Sequence, residues 1–117
     1  MIQLYGIPNC DTVKKARTWL QEQSIQFEFI DFKKQAPTAE LITSWLQTIP
    51  LETLLNKRGT TWRKLSEEQQ AQAASTEGAI ALMVAQPSII KRPILSMNQQ
   101  HYAGFQAELY STLFAAQ

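Results

Sequence analysis

Cys10 is the only cysteine of the chain, and its neighbours decide what a lone thiol can do. It lies in the polar turn Pro8-Asn9-Cys10-Asp11-Thr12. Before it comes a short apolar run with Ile2, Leu4 and Tyr5; after it, Val13, Ala16, Arg17 and Leu20 fall at helical spacing. That order puts the sulfur at a helix N-terminus, where unpaired main-chain N–H groups and the helix dipole favour an anion and hence a thiolate. Lys14 and Lys15 add positive charge in the next turn. A thiolate so placed is a nucleophile. A lone cysteine is more often a small buried hydrophobe, but such residues pack on apolar faces rather than in a polar strand-to-helix turn, so the reactive reading is preferred. Residue 13 is valine, so the two-cysteine C-x-x-C redox motif is missing. Any disulfide of Cys10 therefore needs an outside partner, either a small thiol such as glutathione or a cysteine of another protein.

Other candidate groups carry weaker signals. Arg92-Pro93 stands between two apolar runs, where an arginine at a sheet end can offer its fork of donors to an oxyanion or thiolate. Lys57, Arg58, Arg63 and Lys64 put four cations into eight residues around Trp62, which suits either a solvated face or an anion-recognition loop. His101 is the only histidine and reads as a partly exposed strand residue; one Cys and one His cannot assemble a structural zinc site. Trp19, Trp45, Met83 and Met97 fall where core side chains belong.

The elements that must hold these groups follow in order. Ser24 to Phe32 alternates apolar and polar residues, the pattern of a half-buried strand, and pairs in parallel with Met1–Tyr5 through a helical crossover. A helix starts near Thr38, carries Leu41, Ile42, Trp45, Leu46 and Ile49 on one face and stops at Pro50. Leu51 to Leu55 is one further turn, and Asn56 to Lys64 a polar loop. Ser66 with Gln69 forms a capping box for a helix over 67–74, and Thr76 caps another over 77–85. Short strands are expected at Ser88–Ile90, Ile94–Met97 and His101–Ala103, with a turn at Asn98-Gln99-Gln100 and a last amphipathic helix with Phe105, Leu109, Leu113 and Phe114 on one side.

The expected architecture is α/β: a four-stranded mixed sheet in a single domain over 1–117, with a helical insertion at about 33–87. Eleven basic against ten acidic residues give a net charge of +1, which supports neither general nucleic-acid binding nor attraction to membranes. No basic segment followed by an apolar stretch opens the chain, so no signal peptide or membrane span is expected. One free thiol points to a reducing cytoplasm and, with so small and neutral a chain, to a monomer.

Three separated segments resemble the arsenate reductase (ArsC)/Spx family, and its YffB-like branch most of all. They are Leu4 to Ala16, Arg58 to Leu65 and Pro87 to Ile94. The resemblance implies a thioredoxin-like, or glutaredoxin-like, fold with a helical insertion. It implies Cys10 as the nucleophile, Arg92 beside a cis Pro93, and Arg58, with Arg63 in reserve, as the cation of the middle loop. Asn9, Thr12, Arg58, Arg92 and Pro93 are the expected substrate contacts. No bound cofactor is implied; glutathione is the co-substrate, with a thiol protein as substrate and glutaredoxin as a possible partner. The departures bear on activity. Glutathione-linked arsenate reductases of the family carry a histidine where this chain has Gly6, and a further arginine near the C-terminal strand, whereas Met97 to Phe105 contains none. Spx regulators usually have C-x-x-C and an insertion glycine, which Val13 and the glycine-free stretch from Thr38 to Arg58 do not supply. A glutathione-linked thiol oxidoreductase is thus the leading expectation, with arsenate reduction and an RNA polymerase-binding regulator as its alternatives.

Overall fold

The computed structural model describes residues 2–115. Two compact units are formed, one by the chain up to Lys34 together with that from Arg92 onward, the other by Gln35–Lys91. The insertion thus extends a few residues beyond the expected boundary near 87. Local pairing explains the shift: Asn56 N–H donates to the Ile89 carbonyl at 2.7 Å and Lys91 N–H to that of Leu54 at 2.8 Å. Residues 88–91 are thereby tied to the helical segment.

The first unit holds β1 (Gln3–Gly6), α1 (Asp11–Glu22), β2 (Glu28–Asp31), β3 (Ile94–Met97), β4 (Gln100–Ala103) and α7 (Ala107–Ala115). The sheet order is β2-β1-β3-β4, with β1 parallel to β2 and antiparallel to β3, and β3 antiparallel to β4. Strand β2 is shorter than its alternation suggests, because pairing with β1 begins only at Gln3↔Glu28. Asn98 and Gln99 take positive φ of 52° and 64°, the backbone a tight two-residue hairpin between β3 and β4 requires. Gln100 consequently opens β4 instead of closing the turn. Leu4, Leu95, Ala16, Leu20 and Tyr110 make the core of this unit, with Trp19, Phe105 and Phe114 packed against it. The Phe105 and Trp19 rings meet that of Tyr110 edge-on, at 4.8 and 5.6 Å.

The second unit holds α2 (Ala39–Trp45), α3 (Leu51–Leu54), α4 (Thr60–Arg63), α5 (Glu67–Gln72) and α6 (Thr76–Ala85). Ile42, Trp45, Leu54, Leu82, Met83 and Ile89 fill its interior. Several local expectations change here. The polar loop contains a helical turn, α4. Helix α6 is capped by Ser75 in place of Thr76, because Ser75 has the extended backbone of a cap and its Oγ accepts from Gly78 N–H. Gly78 is required at that place, since a Cβ there would stand 2.0 Å from the Gln72 carbonyl oxygen. Pro87–Ile89 is a 3-10 turn in place of a strand, and only Ile90 bridges to Leu55.

Candidate functional site

The register of the sheet gathers the chemistry at one end. Tyr5 pairs with Ile94, so the C-terminal end of β1, which leads into Cys10, lies beside the start of β3, which follows Arg92-Pro93. Ile94 in turn faces Ala103, bringing the end of β4 to the same place. Phe32 N–H donates to the Gly6 carbonyl at 2.8 Å, which carries the end of β2 there as well.

Cys10 is the N-cap of α1, with φ −89° and ψ 127°. Its N–H donates to the Ile7 carbonyl at 3.1 Å and its carbonyl accepts from Lys14 N–H at 2.9 Å, so the main chain on both sides is fixed. The sulfur itself makes no capping bond, and it is a free, partly exposed thiol. The main-chain N–H groups of the first helical turn have no partner within a helix. They are available to an anion at the sulfur or bound to it. Asn9 and Thr12 flank Cys10 and are exposed.

Gly6 explains how the strand-to-helix turn closes. A Cβ at this position would lie 2.7 Å from Cγ2 of Val13, whose side chain is fully buried. Valine has one strongly preferred rotamer in a helix, so it has little room to yield. A larger side chain at residue 6 and the present packing of α1 exclude each other.

The Arg92–Pro93 peptide bond is cis, as the resemblance implies. Arg92 is partly exposed, yet its Nε is buried without a hydrogen-bond partner among the described residues. A guanidinium with an unused buried donor has binding capacity to spare. Pro93 is buried and its carbonyl accepts from Gly104 N–H at 2.8 Å; Gly104 has φ 81°, a backbone conformation that favours glycine. Proline has no N–H, so this bond leaves Pro93 little main-chain capacity. In the sequence, the only signal for this contact is a glycine between an edge strand and a helix. Arg58 and Arg63 are exposed and belong to the Gln35–Lys91 unit. Arg58 N–H donates to Asn56 Oδ1 at 3.2 Å, and the Lys57 ammonium lies 5.5 Å from the centre of the Trp62 ring.

His101 is opposite Ser96 on the β3–β4 ladder, and its Nδ1 shares a hydrogen bond of 2.7 Å with Ser96 Oγ. Burial holds its pKa below the usual histidine value. Among the described residues no group of three or more His, Cys, Asp or Glu side chains is placed to hold a metal ion, and no helix is long and apolar enough to cross a membrane.

The family model described as ArsC family matches residues 5–113. An uncharacterized protein of Haemophilus influenzae is 36% identical over 115 residues, covering 98% of this chain and 100% of that protein. Among solved structures, a YFFB protein superposes with a TM-score of 0.91 at 43% identity, covering 96% of this chain and 97% of the other. An arsenate reductase (ArsC) related protein from Brucella melitensis gives a TM-score of 0.74 at 43% identity, with 97% and 93% covered.

Proposed function

Since the chain belongs to the ArsC family, we propose that it is a glutathione-linked thiol oxidoreductase in which Cys10 is the nucleophile and acts without a second cysteine. The observation that carries this reading is the placement of a free, partly exposed thiol as the N-cap of α1, with no side-chain capping bond of its own.

The cycle follows thiol–disulfide exchange. The Cys10 thiolate attacks the glutathione sulfur of a glutathionylated protein, forming a Cys10–glutathione disulfide. The protein thiolate leaves and takes up a proton. A second glutathione thiolate then attacks that mixed disulfide, restoring Cys10 and releasing glutathione disulfide. The protein sulfur is thereby reduced to a thiol and the incoming glutathione sulfur is oxidised to the disulfide level, while the first glutathione sulfur stays at that level throughout. Glutaredoxin can supply the second step in place of free glutathione.

Arg92 suits the role of holding an anionic group near the sulfur, because its buried Nε has no partner among the described residues. The main-chain N–H and C=O of Arg92 make no hydrogen bond among the described residues. They suit main-chain pairing with an extended substrate next to the cis Pro93. Asn9 and Thr12 are retained as contacts flanking the thiol. A reducing cytoplasm fits a thiol that must stay free between turnovers.

Arsenate reduction is the weaker reading. Gly6 packs too tightly on Val13 to be replaced by histidine in this backbone, and no arginine follows β3 up to Phe105. The regulator reading lacks a second thiol, since residue 13 is a fully buried valine.

The test is a glutathione-coupled assay on a small mixed disulfide, with arsenate as the competing substrate. Wild type is expected to turn over the disulfide and leave arsenate unreduced. Cys10→Ser should fall to the uncatalysed rate, and Arg92→Ala should lose about tenfold or more in kcat/KM. Undiminished turnover in Cys10→Ser would overturn the mechanism, and faster turnover of arsenate than of the disulfide would overturn the substrate.

A further inference from the structure

Between β4 and α7 the chain turns at Gly104, a buried residue with φ 81°. The rungs of the β3–β4 ladder run Met97↔Gln100, Ser96↔His101, Leu95↔Tyr102 and Ile94↔Ala103. In an antiparallel pair, rungs bonded through the main chain alternate with rungs that are not. The two-residue hairpin is closed by a bonded rung at Met97↔Gln100, so Leu95↔Tyr102 is the next of that kind and Pro93↔Gly104 the one after it. The bond of 2.7 Å between the Ser96 and His101 side chains agrees, since side chains approach most closely on the unbonded rungs. A bonded rung ordinarily exchanges two N–H···O bonds. Proline has no N–H, so the rung at Pro93 has one, from Gly104 N–H to the Pro93 carbonyl at 2.8 Å.

Among the described residues this is the sole main-chain hydrogen bond made by Arg92 and Pro93. On one side of it Phe105 meets the Tyr110 ring at 4.8 Å in the core of the unit, which anchors the donor. On the other side is Arg92, with its buried Nε unpartnered among the described residues. The positive φ lets the chain leave the ladder for α7 immediately after the bond is made, a turn that a Cβ disfavours. We propose that Gly104 is a positioning residue of the site: its N–H fixes the Arg92–Pro93 segment so that the Arg92 guanidinium is set to hold an anionic group of the substrate. This inference rests on the reading of Arg92 as the substrate cation and adds the group that keeps it in place.

The test replaces main-chain N–H groups by ester oxygens, which removes a donor and leaves the side chain unchanged. Glycolate at position 104 deletes the bond to Pro93; the hydroxy acid of tyrosine at position 102 deletes a donor from an inner rung of the same ladder and serves as the control. The ester at 104 is expected to raise KM for a glutathione mixed disulfide about fivefold to tenfold, the fold-change one hydrogen bond is worth, with kcat and the rate of Cys10 alkylation by iodoacetamide within about twofold of wild type. The ester at 102 should leave all three near wild type while losing comparable stability. Because Gly104 acts through Arg92, its ester should raise KM by less than about twofold once Arg92 is replaced by alanine. In NMR spectra the Arg92 Nε–H resonance should move in the 104 ester and stay in place in the 102 ester. Gly104→Ala, which keeps the donor but disfavours the positive φ, should shift KM and that resonance in the same direction, so the role stays testable if the ester at 104 does not fold. Equal effects of the two esters, an undiminished effect in Arg92→Ala, or an Arg92 resonance that ignores the change at 104 would overturn the positioning role while leaving the proposed cycle intact. A wild type that does not turn over the mixed disulfide would defeat the cycle instead, and the Arg92 resonance alone would then decide whether Gly104 holds Arg92 in place.

Discussion

Three helices of the Gln35–Lys91 unit begin on a hydroxyl that bonds back into the first turn, whereas α1 of the sheet-bearing unit begins on a sulfur that does not. Thr38 Oγ1 accepts from Leu41 N–H at 3.1 Å, Ser66 Oγ from Gln69 N–H at 3.1 Å, and Ser75 Oγ from Gly78 N–H at 3.0 Å. At Ser66 the bond is reciprocal, with the Gln69 side chain accepting from Ser66 N–H at 3.0 Å. Cys10 has the extended backbone of an N-cap and none of this side-chain bonding. An oxygen cap contributes about 1 kcal/mol. Helix α1 forgoes that contribution at Cys10, the residue proposed as the nucleophile.

The comparison breaks most clearly at Cys10. Cys10→Ser removes the nucleophile and supplies a hydroxyl cap, so turnover should vanish while the urea midpoint holds or rises by up to about 1 kcal/mol of stability. A marked loss of stability would show that the sulfur serves packing. Next in size is Gly78→Ala. Its methyl would enter the space of the Gln72 carbonyl at 2.0 Å, and overpacking of this kind costs about 1–3 kcal/mol. Denaturant unfolding reads this directly, and an unchanged midpoint would mean that the start of α6 yields easily. Ser75→Ala and Ser66→Ala should each lose about 1 kcal/mol. A variant of either that unfolds at the wild-type midpoint would remove the contrast with Cys10.

Much of this arrangement can be read from residue order. The strand-helix-strand opening follows from Leu4, Tyr5, Val13, Ala16 and Leu20, and the capping box at Ser66 from two residues. Position along the chain was less legible where a long-range contact decides it. Residues 25–27 alternate like a strand, yet the ladder starts at Glu28 because β1 offers its first partner there. Ser88 to Ile90 looks like a buried strand, but local pairing with Leu54 to Asn56 leaves only one bridge. At the site, Cys10 and Arg92 were visible by type. The clamp of Gly104 on Pro93 was not, since it joins residues across the β3–β4 hairpin. Tyr110 shows the same limit. Its hydroxyl is buried without a partner among the described residues, and burial raises its pKa, although the surrounding sequence reads as ordinary helix.

The smallest expected effect belongs to His101. Burial lowers its folded-state pKa below the unfolded value, so the unfolded chain takes up more protons on acidification. The stabilisation is complete above the usual histidine range and is lost as pH falls through it. Between about pH 7.5 and about pH 5.5, wild type should lose more stability than His101→Gln. Parallel losses would mean that other groups set the slope.

The most direct measurement is the rate of Cys10 alkylation by iodoacetamide at neutral pH, in the folded protein and in the same protein unfolded by urea. If the open N-terminus of α1 activates the thiol, the folded protein reacts faster despite the partial burial of Cys10. A slower reaction in the folded state would mean that the sulfur is sheltered and not activated, and the nucleophile assigned here would be wrong.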